Sequence, residues 1–341
     1  MEVLYVDSSI ISVANAFNFV YNKIYREKYG MLCETSSGYK KVFKYKLKNN
    51  DTNGITTDDI YFWHLINEIL HKEGFAHINR FLLTKNKLPY FQKGSDVYMV
   101  MDIKLADEKN FECKQHFLSI IKNLAKMHYI LAKTTELEIP KNHIFEAQLG
   151  YNMDKTAINL ATYKKKILKT AKFSEFDMLY LKTYKYFAPF IENWVKIYNN
   201  SGYALNDIAL QNSYICHNQL KEENIIVEDD YLLFTNFSKA SVGHFVYDLA
   251  YIIKRYLRLF TNNTNDALRL SQIIEVYEQN NPLFIYDQGF FEALLLLPNK
   301  FIKICNQYYS KNRSFVPITY LGRMQDILDT KDIIYNYILL R

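Results

Sequence analysis

A chain of 341 residues with 49% hydrophobic and 23% charged residues can bury a substantial core, which excludes an intrinsically disordered protein. Its net charge of +6 is spread along the sequence, with Lys164-Lys165-Lys166 the only tight cluster, and no nucleic-acid-binding motif accompanies it. The four isolated cysteines and eight histidines lack ligand spacings such as C-x-x-C or H-E-x-x-H, which argues against a disulfide framework or a structural zinc site.

In chain order, Ser8 or Ser9 is placed to cap a helix whose apolar face runs Ile11, Ala14, Phe17, Phe19, Val20 and Ile24. The period then changes to two. Residues 30–36 and 39–47 read as strands around a Ser36-Ser37-Gly38 turn. In the second of these, Val42, Lys44 and Lys46 share one face, opposite Phe43, Tyr45 and Leu47. Asp51 to Gly54 is a polar loop, and from Thr57 the spacing of Ile60, Trp63, Ile66, Ile69 and Leu70 predicts a helix ended by Gly74. Two further strands are expected at about 79–84 and 96–102.

Beyond residue 104 the pattern is mostly helical. Phe117, Ile120, Ile121, Leu124, Ala125, Met127 and His128 mark one amphipathic helix, and residues 173–200 form another long helical stretch. Tyr214-Ile215-Cys216, Asn224 to Val227 and Leu232-Leu233-Phe234 are short apolar runs, the last two joined by a Glu228-Asp229-Asp230 turn, and the tail from Asp266 is helical again. The run around Ala293 to Leu297 is the longest apolar stretch, far below the roughly 18 residues of a membrane span. With an acidic Met-Glu-Val opening and scattered cysteines, the expectation is a soluble protein of a reducing compartment, without membrane insertion. The 29 tyrosines and 23 phenylalanines accompany abundant Lys, Asn and Ile, a compositional bias that assigns no role by itself.

The chemistry-bearing stretch is His217-Asn218-Gln219-Leu220-Lys221-Glu222-Glu223-Asn224, followed after a hairpin by Asn236-Phe237-Ser238 and then Tyr247-Asp248-Leu249-Ala250. Kinase-like phosphotransferases carry an Asp in a first loop that accepts the substrate proton, then an Asn and a second-loop Asp that hold magnesium. In that frame Asn224 is retained, while the two Asp positions read Gln219 and Asn236. A neutral amide takes no proton from a hydroxyl, a loss of about 10²- to 10⁴-fold in rate. Nor does it bring charge to magnesium, which prefers anionic oxygen ligands.

The order of these pieces resembles the aminoglycoside/choline-kinase branch of the protein-kinase-like fold: strand lysine, helix with acids, two strands, the helix ending Leu124-Ala125-Lys126-Met127-His128, then the two loops. Gly74-Phe75, the segment Phe173 to Tyr198, Pro298-Asn299-Lys300-Phe301 and Gln307-Tyr308-Tyr309 further resemble the spore coat protein S family of endospore-forming bacteria, over residues 30 to 315. The resemblance implies an α+β, bilobal fold with a small β-rich N-lobe over residues 1–103 and a larger, mainly helical C-lobe over 104–341.

It also implies roles. Lys44 matches the phosphate-gripping strand lysine, in preference to Lys41 or Lys46, with Val42 in the adenine ceiling and Glu68, or else Glu73, as the partner of the lysine. Lys44, Glu68 and Asn224 would form a vestigial nucleotide site, with Asn236 at the metal position, and His217 and Asp248 would shape the loop. No G-x-G-x-x-G precedes Lys44, and Glu223 is the one carboxylate placed to substitute for the missing base.

The expectation is a catalytically impaired kinase-like protein without a resident metal. It would require no cofactor, with residual ATP and Mg2+ binding left open. It would be made in the mother-cell cytoplasm and assembled into the spore coat, with other coat proteins as partners through its aromatic-rich helical lobe, and without nucleic acid. The alternative is a small-molecule kinase acting on a choline-, sugar- or amino-alcohol-like hydroxyl.

Overall fold

The computed structural model describes residues 8–27, 30–48, 54–103, 113–134, 139, 143, 153–228, 231–260, 267–309 and 318–339. By packing, the chain forms two compact units that are discontinuous in sequence: residues 1–144 with 217–241, and residues 145–216 with 242–341. A cut at 103/104 would divide the chain elsewhere, and that point borders residues outside the described set. Helix α3 (Lys114–Lys133) and both chemistry-bearing loops group with the N-terminal sheet.

The first unit is built on a five-stranded antiparallel sheet in the order β1-β2-β3-β5-β4, with β1 Lys23–Glu27, β2 Gly30–Thr35, β3 Gly38–Lys46, β4 Phe91–Lys93 and β5 Asp96–Ile103. Strands β2 and β3 turn tightly because Gly38 takes φ 120° and the Thr35 hydroxyl donates to its carbonyl at 2.9 Å. Strand β1 was not foreseen: helix α1 (Ser8–Phe17) stops where Asn18 adopts φ 57°, and Ile24 lies in the sheet. The strand expected at 79–84 reduces to a bridge between Phe81 and Met101, while β4 pairs the other end of β5.

The two faces of the sheet have different covers. Ile10, Val13 and Phe17 of α1 pack with Ile24, Cys33, Val42, Tyr98 and Val100 on one face. On the other, Tyr45 meets Trp63 of α2 (Thr57–Lys72) at 5.2 Å between ring centroids, and Phe43 meets Phe81 at 6.2 Å. Helix α2 starts on a capping box of Thr56 and Asp59 and ends before Gly74 at φ 73°.

After the two-residue strand β6 (Ile215–Cys216), the hairpin β7 (Ile225–Glu228) and β8 (Tyr231–Phe234) joins the first unit. Its anchors are backbone hydrogen bonding from Phe234 N–H to the His77 carbonyl at 2.9 Å and stacking of Phe75 on Phe234. The short strand β9 (Ser241–Val242) follows it. The turn at Asp229-Asp230 and the loop at 51–53 lie outside the described residues.

The second unit is helical: α4 Met153–Ile167, α5 Glu175–Ile197, α6 Tyr203–Gln211, α7 Val246–Tyr256, α8 Leu270–Asn280, α9 Gln288–Leu296, α10 Asn299–Tyr309, α11 Ile318–Asp329 and α12 Ile333–Leu339. Helix α5 opens on a Ser174/Asp177 capping box and runs into a wide turn over Tyr198–Gly202. A Cβ at Gly202 would come within 2.4 Å of the Tyr198 ring, so the turn needs glycine there. Many aromatics of this unit pack inward: Tyr180 stacks on Phe301, and Phe176 lies 4.0 Å from Tyr308. Lys164, Lys165 and Lys166 form an exposed last turn of α4. Among the described residues no helix is long and apolar enough to cross a membrane, and all four cysteines are free.

Candidate active site

The two loops close on one another through neutral groups. The His217 ring bonds the Thr235 carbonyl at 3.0 Å, and its Nδ1 accepts from the Gln219 N–H at 3.2 Å, so the imidazole holds the first loop against the second. Asn218 takes φ 57°, a conformation asparagine tolerates well among side-chain-bearing residues. Its amide donates to Ser241 Oγ at 2.7 Å. Asn236 likewise sits at φ 65°.

From there the amides pair. Asn224 Nδ2 donates to the Gln219 carbonyl at 2.8 Å, and Asn236 Nδ2 donates to Asn224 Oδ1 at 3.2 Å. Ser238 Oγ donates to Asn236 Oδ1 at 2.7 Å, leaving the longer 3.4 Å approach to Gln219 Oε1 as a lesser share of one hydroxyl proton. The Tyr45 phenol lies beside Ser238, and burial pushes it above its ordinary range, so it stays protonated.

The outcome is a directed chain, Ser238 to Asn236 to Asn224 to the Gln219 carbonyl. Both side-chain oxygens that would face a cation already accept protein hydrogens. Asn224 and Asn236 are 2% and 5% exposed, so these bonds also meet the requirement that buried polar groups be partnered.

Several expected placements are corrected. Lys44 lies on the α1 face: its Nζ bonds Asp96 at 2.8 Å and sits over the Tyr98 ring, while Val42 is buried in the α1 cluster. Glu68 is held by Arg80 through both carboxylate oxygens, and Arg80 lowers its pKa. Lys44 and Glu68 therefore do not pair, and exposed Glu73 at the end of α2 does not replace Glu68. The physical reason is the sheet's pleat: α1 covers the even-numbered face of β3, which turns the odd-numbered face toward α2 and the loops.

The strand lysine on that face is Lys41, whose ammonium lies over the Phe43 ring. Tyr45, Trp63 and Ser238 were also missed, although the Phe43/Tyr45 alternation already separated them from Lys44. Glu223 pairs with Lys221 at 3.4 Å and is half exposed. Asp248 is buried in the first turn of α7, in the other unit, where its charge adds to burial in raising the Cys216 thiol.

A second anchor was not legible in the sequence. His143 Nε2 bonds Asp59 Oδ1 and its Nδ1 donates to the Ala240 carbonyl, both at 2.7 Å, tying the start of α2 to the end of the second loop.

The family model "Spore coat putative kinase YutH" matches residues 22–338. The chain belongs to that family. The spore-coat resemblance is thus borne out at family level, with YutH as the matching coat family. No curated protein matches the chain.

Among solved structures, an aminoglycoside phosphotransferase from Alicyclobacillus acidocaldarius subsp. acidocaldarius DSM 446 superposes with TM-score 0.76 at 13% identity, covering 100% of this chain and 96% of that one. The AMP-bound spectinomycin phosphotransferase APH(9)-Ia gives 0.62 at 12% identity, covering 96% and 97%. Amicoumacin kinase hAmiN, in complex with AMP-PNP, Ca2+ and Ami, gives 0.55 at 10% identity, covering 97% and 94%. At these identities the likeness establishes the fold, and the expected kinase-like α+β class holds.

Proposed function

We propose that this YutH-family coat protein is an impaired phosphotransferase that serves the spore coat as a structural or interaction component. One observation carries the reading: Asn236 Nδ2 donates to Asn224 Oδ1, so the two groups at the metal-holding positions bond each other. A cation entering there would compete with that bond and the one from Ser238 for the amide oxygens, and would gain two neutral ligands in return. The half-buried Gln219 supplies no base, and Glu223, the carboxylate beside Asn224, is engaged by Lys221. Trp63 of α2 packs on Tyr45, so the odd-numbered face of β3 meets α2 through aromatic rings.

On this reading no cofactor is required, and the partners are other coat proteins met after synthesis in the mother cell. Because most described aromatics of the helical unit are internal, exposed Phe173, Tyr203 and Tyr335 are the aromatic candidates for such contacts. The family description keeps a small-molecule kinase as the competing reading.

Thermal melting with ATP, with and without magnesium, on wild type and on Gln219→Asp/Asn236→Asp separates the two. Impairment predicts no magnesium-dependent shift and no ADP formation in the wild type, with a magnesium-dependent shift gained in the double variant. Wild-type turnover in magnesium would sink the proposal.

A further inference from the structure

The helical unit contains a cavity of about 330 Å³ whose lining comes wholly from residues 187–334, none of it from the two loops. Its depth is apolar, with buried Phe187, Leu297, Phe301 and Ile327. Its mouth is cationic, with exposed Arg258 and Lys300 beside half-buried Arg255. Lys254 also lines it and donates to the Leu297 carbonyl at 2.9 Å. Beside Arg258 and Lys300 the lining offers one carboxylate, Asp326, and Lys331 has its own partner in Asp332 at 2.7 Å.

Such a lining is electrostatically unfinished. Burial and then the neighbouring Arg258 push the Lys254 amine down to about 7 and the Arg255 guanidinium down to about 10. Lys300 is lowered by burial and then by Arg258, with Asp326 opposing. An anion at the mouth would relieve all of these repulsions, and guanidinium groups suit the planar or tetrahedral oxygens of carboxylate and phosphate. The volume stands near the lower end of ligand cavities, about 300 Å³, which fits a small molecule and leaves no room for a folded segment. Inorganic phosphate alone would leave the apolar depth unused.

We propose that this cavity is a binding site for a small organic anion, a phosphate or carboxylate carried on an apolar body of one or two rings. The head sits between Arg258, Lys300 and Arg255, and the rings lie against Phe187 and Ile327.

The test uses 1-naphthyl phosphate as probe on the full chain, followed by fluorescence titration and thermal shift. 1-Naphthol and inorganic phosphate are the controls. The probe is expected to bind at least about tenfold more tightly than either control, the scale of one charge-assisted hydrogen bond. Arg258→Gln/Lys300→Gln should weaken it by about tenfold or more, and Asp326→Asn should tighten it. Near-UV circular dichroism checks that the double variant is folded; if it is not, the exposed Asp326→Asn change decides alone. Equal binding of naphthol, equal binding of inorganic phosphate, or unchanged affinity in the folded double variant or in Asp326→Asn would overturn the proposal.

Discussion

The paired loops and the helical-unit cavity treat charge in opposite ways. In the loops, one neutral group hands a hydrogen to the next, from Ser238 through Asn236 and Asn224 to the Gln219 carbonyl, and no net charge is involved. In the cavity, exposed Arg258 and Lys300 share a mouth whose lining carries one carboxylate, Asp326. A site built for a charged ligand leaves a deficit for that ligand to fill, and the deficit here lies in the helical unit. On the proposed reading, the loops keep the outline of a phosphate-transfer site and serve as a structural joint.

The largest expected effect tests the deficit. Lys254 has an ordinary pKa of 10.5 when unfolded and about 7 in the fold, lowered first by burial and then by Arg258. Between those values the unfolded chain binds more protons, so stability rises with pH. The penalty is complete below pH 7 and gone above 10.5, and at about 1.4 kcal/mol per unit it integrates to at most about 5 kcal/mol. Denaturant melts from pH 6 to 10 should show this rise. Lys254→Met should flatten it and be the more stable protein at pH 7, despite leaving the Leu297 carbonyl without its donor. A slope unchanged by Lys254→Met would show that the amine is not the group under strain.

Next comes the self-sufficiency of the loops. Asn236→Asp removes the hydrogen donated to Asn224 Oδ1 and sets a carboxylate against that oxygen. Asn224 cannot rescue the contact by turning its amide, because its Nδ2 already serves the Gln219 carbonyl. A loss of about 3 kcal/mol without divalent ions is expected, partly restored by magnesium in the variant and not in the wild type. Unaltered stability on making this change would dissolve the idea of a closed amide chain. At the far end of the chain, Ser238→Ala removes the donor to Asn236 Oδ1 and should cost about 1 kcal/mol.

Much of this was legible in the chain and part was not, for physical reasons. The loop spacing from His217 to Asn224 and on to Asn236 announced the fold, because the backbone turns at Asn218 and Asn236 need residues that accept positive φ. The alternation in β3 was also readable. What no alternation reports is which face a helix will cover: α1 could pack on either, and its choice of the Val42 face moved Lys44 away from the loops. The His143–Asp59 contact joins residues 84 apart, and nothing local to either announces the other. The cavity was invisible for the same reason, since its cations come from separate helices and the loops between them.

The smallest prediction asks whether the exchange of strand faces is real. Lys44 makes a partly exposed ion pair with Asp96, a kind of contact worth about 0–1 kcal/mol, so Lys44→Met should lower stability by no more than that and leave the loops untouched. Lys41→Met lies on the face that carries Tyr45 and Phe43, where its ammonium covers an aromatic ring. If the Gln219→Asp/Asn236→Asp background gains magnesium-dependent ATP binding, Lys41→Met should diminish that binding and Lys44→Met should not. The opposite ranking would return Lys44 to the nucleotide side and mean that α1 covers the other face of the sheet.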